Sequence, residues 1–302
     1  MKDISHGLFN RKSKIENRQS GLWASAWRRL RGDKLTLAAG GLLVLYGALA
    51  IGAPWIAQHI FHTTPEQIDL LNSLALPSAQ HWLGTDNFGR DQFVRVLYGA
   101  QVSLLVGFSA AFVNLTIGIL LGALAGFYGG VVDDVIVWLI NTARGIPSFF
   151  LLLFFGVLFK PSALGLALII GVTSWMGVAR LVRGQVIALR GLDYILAGRA
   201  IGVNNARLIF RHILPNILPI VIVYMGMDVG SVILTESGLS YLGVGIQEPL
   251  ASWGNMLTKA QAFFFRAPWL VFPPGLFIWS TVLALYLLAD GLRDALDPRL
   301  KE

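Results

Sequence analysis

Apolar positions in this chain fall into long runs, and polar positions interrupt them at only a few places. A helix needs about 20 consecutive apolar residues to cross a hydrocarbon core of about 30 Å, and six stretches approach or exceed that length. Leu35 to Ala57 and Val102 to Tyr128 contain no charged side chain. Val135 to Phe159 holds Arg144 near one end and Pro147 inside, so one kinked span is expected there, because proline removes a backbone donor. Ala163 to Ala179 is predicted to continue past the membrane toward Leu189. Ile217 to about Leu239 contains Asp228 and Glu236, and Trp269 to Ala289 is free of charge. The second stretch places Gly118, Gly122 and Gly126 on one stripe, a pattern that lets a neighbouring backbone approach closely.

The polar intervals set the organisation. Residues 1–34 read as a tail with an amphipathic segment, Leu22 to Arg31, whose tryptophans and arginines suit the headgroup plane. Residues 35–302 form the membrane domain, with loops at 60–101, 190–216 and 240–268. Between the fourth and fifth spans lies DYILAGRAIGVNNARLIFRHILPNILP, Asp193 to Pro219. Tyr194 to Ile201 is predicted to be a short helix with small residues at Ala197, Gly198 and Ala200, a shallow surface on which another protein's cleft can close. Gly202 permits a left-handed turn. Asn204 or Asn205 is positioned to cap a second helix, Ala206 to Leu214, with Pro215 and Pro219 leading into the fifth span.

Composition agrees with the pattern: 55% hydrophobic and 14% charged residues exclude an ordinary soluble domain. The net charge of +7 reflects topology rather than nucleic-acid binding. With the N-terminus inside, 18 of the 24 Lys and Arg fall on the cytoplasmic side and 5 outside, Arg144 being within a span. Both ends are therefore expected in the cytoplasm, next to anionic lipid. Ala48-Leu49-Ala50 resembles a cleavage site, but the long polar lead and the charge distribution favour a retained span.

Catalytic chemistry is missing from the sequence. There is no Gly-x-x-x-x-Gly-Lys-Ser/Thr, no His-Glu-x-x-His and no Gly-x-Ser-x-Gly, and there are no cysteines. No catalytic residue, metal site or cofactor is expected on this chain. The carboxylates Asp228 and Glu236 are costly in hydrocarbon and are expected to face a polar network, a gate or the translocation pathway. A secondary transporter driven by protons through these two residues is the alternative that they raise. Asp86, Arg90 and Asp91 have the spacing of an ion network that holds the 60–101 loop.

The segment Leu196-Ala197-Gly198-Arg199-Ala200-Ile201-Gly202, followed by Arg211-His212-Ile213-Leu214-Pro215-Asn216, resembles the cytoplasmic EAA loop of permease subunits in ATP-binding-cassette importers. HWLGTDNFGRDQFVRVLYGAQVSL (His81 to Leu104), TESGLSYLGVGIQEPLASWGNML (Thr235 to Leu257) and LADGLRDALDPRLK (Leu288 to Lys301) are similar to the second permease of the dipeptide/oligopeptide/nickel subfamily. That resemblance implies an all-α, six-span permease of the type I importer fold. It implies a sister permease, two ATP-binding subunits carrying ATP and Mg, and an extracytoplasmic binding protein delivering peptide. It also assigns coupling to the ATPases to Asp193, Tyr194, Ala197, Gly198, Arg199, Ala200, Ile201 and Gly202. The family's loop glutamate is Leu196 here, and Asp193 offers a nearby carboxylate.

Overall fold

The computed structural model describes residues 27–258 and 260–296. Most of the N-terminal tail, the beginning of the amphipathic segment and the end of the C-terminal motif lie outside these residues. Among the described residues the fold is built from helices and connecting turns, with an isolated β-bridge between Thr85 and Asp91.

Helix α1 (Lys34–His59) starts at Asp33, whose carboxylate accepts from the Leu35 and Thr36 amides at 3.0 and 3.3 Å and from the Thr36 hydroxyl. The bonds from Thr36 hold the Asp33 carboxyl below the usual range. Helix α2 (Gln92–Tyr128) is the spine of the molecule, packed against α1, α5, α6 and α9. It is followed by α3 (Gly130–Arg144), α4 (Ser148–Phe159), α5 (Ala163–Ser174), α6 (Met176–Arg190), α7 (Asp193–Ala200) and α8 (Asn205–Leu208). A π-helical turn, Ile209–Ile213, joins α8 to α9 (Leu214–Tyr241); α10 (Trp253–Thr258) and α11 (Phe272–Leu296) are the last α-helices among the described residues.

Four helical stretches are long and apolar enough to cross a membrane, and six spans result if each of two bent pairs crosses once. The expected third span is not one kinked helix, because α3 and α4 meet at 75°. Pro147 supplies no N–H, and its ring keeps Ile146 out of the helical region, so α3 stops at Arg144 and the chain restarts. The fourth span is also two helices, α5 and α6, at 47°. Here Thr173 turns its hydroxyl back onto the carbonyls of Ile169 and Ile170 at 2.8 and 3.0 Å, a bond that bends helices.

The glycine stripe of α2 lies against α6. A side chain at Gly122 would come within 2.5 Å of the Ala179 carbonyl oxygen, and one at Gly126 within 2.8 Å of that of Arg183. The two backbones are in contact only because those side chains are missing. Large apolar residues such as Val44, Ile51, Trp55, Phe150 and Val157 point outward, as they do where the surrounding solvent is lipid.

Candidate functional site

The Asp193 to Gly202 segment is a short helix fixed on one side and open on the other. On the fixed side Ile195 is fully buried with Phe127, Val182, Val186, Leu208 and Ile213. Burying such a side chain is worth about 2 kcal/mol. One turn later the Arg199 guanidinium lies over the Phe127 ring at 4.5 Å, a cation–π contact. On the open side Asp193, Ala197 and Ala200 are exposed, flanked by the exposed Tyr194, Leu196 and Ile201. Small residues framed by exposed apolar ones make a surface that a partner can cover.

The helix ends as its sequence requires. Gly202 adopts φ +79°, and the amides of Ile201, Gly202 and Val203 donate to the carbonyls of Ala197, Arg199 and Gly198 at 3.0–3.1 Å. Asn204, rather than Asn205, caps α8 by accepting from the Ala206 amide at 2.9 Å. The second helix expected from Ala206 to Leu214 is not a separate element. After α8 the π turn, in which the Leu214 amide donates to the Ile209 carbonyl, carries the chain straight into α9 just before Pro215. Gly198 also departs from expectation. It is half-buried, and a Cβ there would come within 3.0 Å of Leu208, so its small size serves the packing of α7 on α8.

The segment that leads into α7 is tied down in turn. Asp133 on α3 receives both Nε and Nη2 of Arg183 on α6, at 2.5 and 2.6 Å, a bidentate pair. Arg190 Nη1 donates to the Gly126 carbonyl at 2.8 Å.

The two carboxylates of α9 have separate surroundings. Glu236 is fully buried: Ser240 donates to one oxygen at 2.7 Å, and Ser103 on α2 donates to the other at 3.1 Å. The Ser103 oxygen accepts the Trp253 amide at 3.2 Å, and the Trp253 indole donates to the Val96 carbonyl at 3.0 Å. Glu236 thus links α9, α2 and α10. Asp228 is half-buried and accepts a bond from Asn114 on α2 at 2.7 Å.

At the end of the bundle bearing residues 60–91, the expected trio of charges divides. Asp86 pairs with Arg90 at 2.6 Å and lies 3.7 Å from Arg95. Asp91 instead caps α2 at Val94 and bonds His81 at 2.8 Å. Arg90 reaches on to Glu248 at 3.1 Å, which joins the two long loops. Ser103, Asn114 and Trp253 escaped the sequence reading because each lies more than a hundred residues from the group it meets, and the pairing of Arg95 with Asp86, nine residues away, was missed because the loop folds back on the start of α2. A polar residue in the middle of an apolar run, as at Ser103 and Asn114, was the available signal.

The match to known sequences covers both parts of the chain. Residues 118–302 match the family described as binding-protein-dependent transport system inner membrane component, and residues 21–77 match the N-terminal TM domain of oligopeptide transport permease C. The chain belongs to this permease family. The oligopeptide transport system permease protein OppC of Bacillus subtilis is 37% identical over 289 residues, 96% of this chain and 93% of that protein. OppC of Escherichia coli K12 is 38% identical over 298 residues, covering 99% and 98%, and the dipeptide permease DppC of Bacillus subtilis is 38% identical over 277 residues, covering 91% and 85%. A chain of the MetNI methionine ABC transporter in inward-facing conformations shares the fold, with a TM-score of 0.52 and 18% identity over 67% of this chain and 96% of that one. This permease is therefore a multi-pass inner-membrane subunit of an ABC importer, working with an ATPase and other subunits and not itself the ATPase. Its family replaces the proton-driven alternative.

Proposed function

We propose that this permease, paired with a sister permease, forms the passage by which a di- or oligopeptide crosses the membrane. In this reading two ATP-binding subunits dock on α7, holding the ATP and Mg, while this chain binds no cofactor. An extracytoplasmic binding protein delivers the peptide to the opposite end. Both termini are cytoplasmic, an orientation supported by the 18 basic residues on that side. Peptide as cargo is supported by the OppC and DppC relatives.

The observation that carries the coupling role is the two-sided character of α7. Asp193, Tyr194, Ala197, Ala200 and Ile201 are open to a partner, while Ile195, Gly198 and Arg199 engage α2 and α8 of the same chain. A push on the open face is passed directly to the ends of two spanning helices, with Gly202 as the turn between them. Glu236, whose carboxylate is shared by α2 and α9 next to α10, is placed to latch the external gate, and Asp228 belongs to the pathway.

The chain's lack of cysteine makes the test direct. Single cysteines at Ala197 and Ala200 should crosslink to an ATPase subunit in the assembled importer, with an efficiency that changes on ATP binding, while one at Ile51 should not. Peptide uptake into vesicles should need ATP and the ATPase subunits. Uptake driven by a pH gradient in their absence would refute the reading.

A further inference from the structure

Asp228 sits at the midpoint of the 28-residue α9, a depth at which a carboxylate facing lipid is strongly disfavoured. It is nevertheless half-buried rather than enclosed, and none of the ion pairs among the described residues involves it. The residues above and below it show what it faces. Tyr224, Asp228, Ser231, Thr235 and Gly238 follow one another at spacings of four, three, four and three, which places them on one stripe of the helix. All five are at least partly exposed, Ser231 the most open of them. A lipid-facing stripe of a spanning helix is apolar, and the exposed Leu234 at its margin shows the usual choice. This stripe is polar or small along its whole length.

Chemistry at its centre is unbalanced in a specific direction. The Asn114 amide donates to Asp228 at 2.7 Å, which fixes the carboxylate, while Asn114 Oδ1, itself buried, has no hydrogen-bond partner. The pair holds more acceptors than donors and one negative charge without a counter-charge. An ammonium group supplies donors and positive charge together.

We infer that the Tyr224 to Gly238 stripe of α9 lines the passage and that Asp228, held by Asn114, makes the passage selective for cations, taking the ammonium group of a passing peptide. This rests on the permease reading above and adds a specificity-determining residue to it. Asp228 is a contact for cargo in transit; Asn114 is a positioning residue behind it.

A cysteine at Ser231, one turn from Asp228, reports the local charge without involving the binding protein's own preferences. In the assembled importer in vesicles, Ser231→Cys is reacted with a positively charged and with a negatively charged methanethiosulfonate reagent of similar size. The expected ratio of the two rates is at least tenfold above their ratio with a small free thiol. Adding Asp228→Asn should bring it to within about twofold of the free-thiol ratio, whereas Asp228→Glu should retain the preference and show that the assembly survives substitution. An unchanged ratio in Asp228→Asn overturns the inference. So does failure of both reagents to reach the introduced thiol in every nucleotide state, which would mean that this stripe is sealed against the sister subunit. ATP-driven uptake by the unsubstituted importer, measured in parallel, separates this outcome from failure of the permease reading itself.

Discussion

Next to the 60–91 loop, Asp86, Arg90, Asp91 and Arg95 are all buried and pair within the chain, and Glu236 nearby is enclosed by hydroxyls. At the opposite end of the bundle, α7 buries Ile195 and leaves Asp193, Tyr194, Leu196, Ala197, Ala200 and Ile201 on the surface. Charged groups removed from water must find their partners at once, so the first region is complete in itself. A helix with an uncovered apolar and small-residue face is complete only in an assembly. The first arrangement holds a shape, and the second leaves a surface open to a partner.

Substitutions ordered by their effect on the chain's own stability test that contrast. Asp86→Ala leaves the buried Arg95 without its carboxylate and Arg90 with only Glu248, and it should cost about 3–5 kcal/mol, read as a large fall in the unfolding temperature of the detergent-solubilised permease. Gly122→Val forces apart α2 and α6, whose contact at Ala179 has no room for a side chain. Overpacking of this kind costs about 1–3 kcal/mol, and unfolding in a mild denaturant series should show it. Gly202→Val imposes left-handed strain of about 1–2 kcal/mol; the same melt should register it, and ATP-driven uptake should fall further than stability does. Ala197→Trp adds bulk at an exposed position and should change the chain's unfolding by less than about 0.5 kcal/mol, yet abolish copurification of the ATPase. If Asp86→Ala and Ala197→Trp shifted unfolding equally, the two ends would not differ in self-sufficiency.

Much of the site was legible because it is local. The cap at Asn204, the turn at Gly202 and the short helix between Asp193 and Ala200 depend on residues within one or two turns of each other. The inward role of Gly198 was not legible, since it depends on Leu208 lying across the turn. Nor was the division of Asp86 from Asp91, where a histidine ten residues away and a helix amide took the place of the nearer arginine. The breaks in the third and fourth spans show the same limit: Pro147 announced a kink, but not the 75° between α3 and α4.

By itself the sequence determined which stretches are apolar, where Gly202 turns the chain and which loop resembles the coupling motif, because hydropathy, caps and glycine turns act over a few residues; it did not fix every helix start, since α2 begins at Gln92, ten residues before the expected Val102. Only the tertiary structure decided that Glu236 belongs to Ser103 and Ser240, that Asp228 belongs to Asn114, and that Arg199 rests on Phe127. All but the Ser240 bond join residues that are dozens to more than a hundred positions apart. Their partners are fixed by how helices pack, a quantity that no short window of sequence contains.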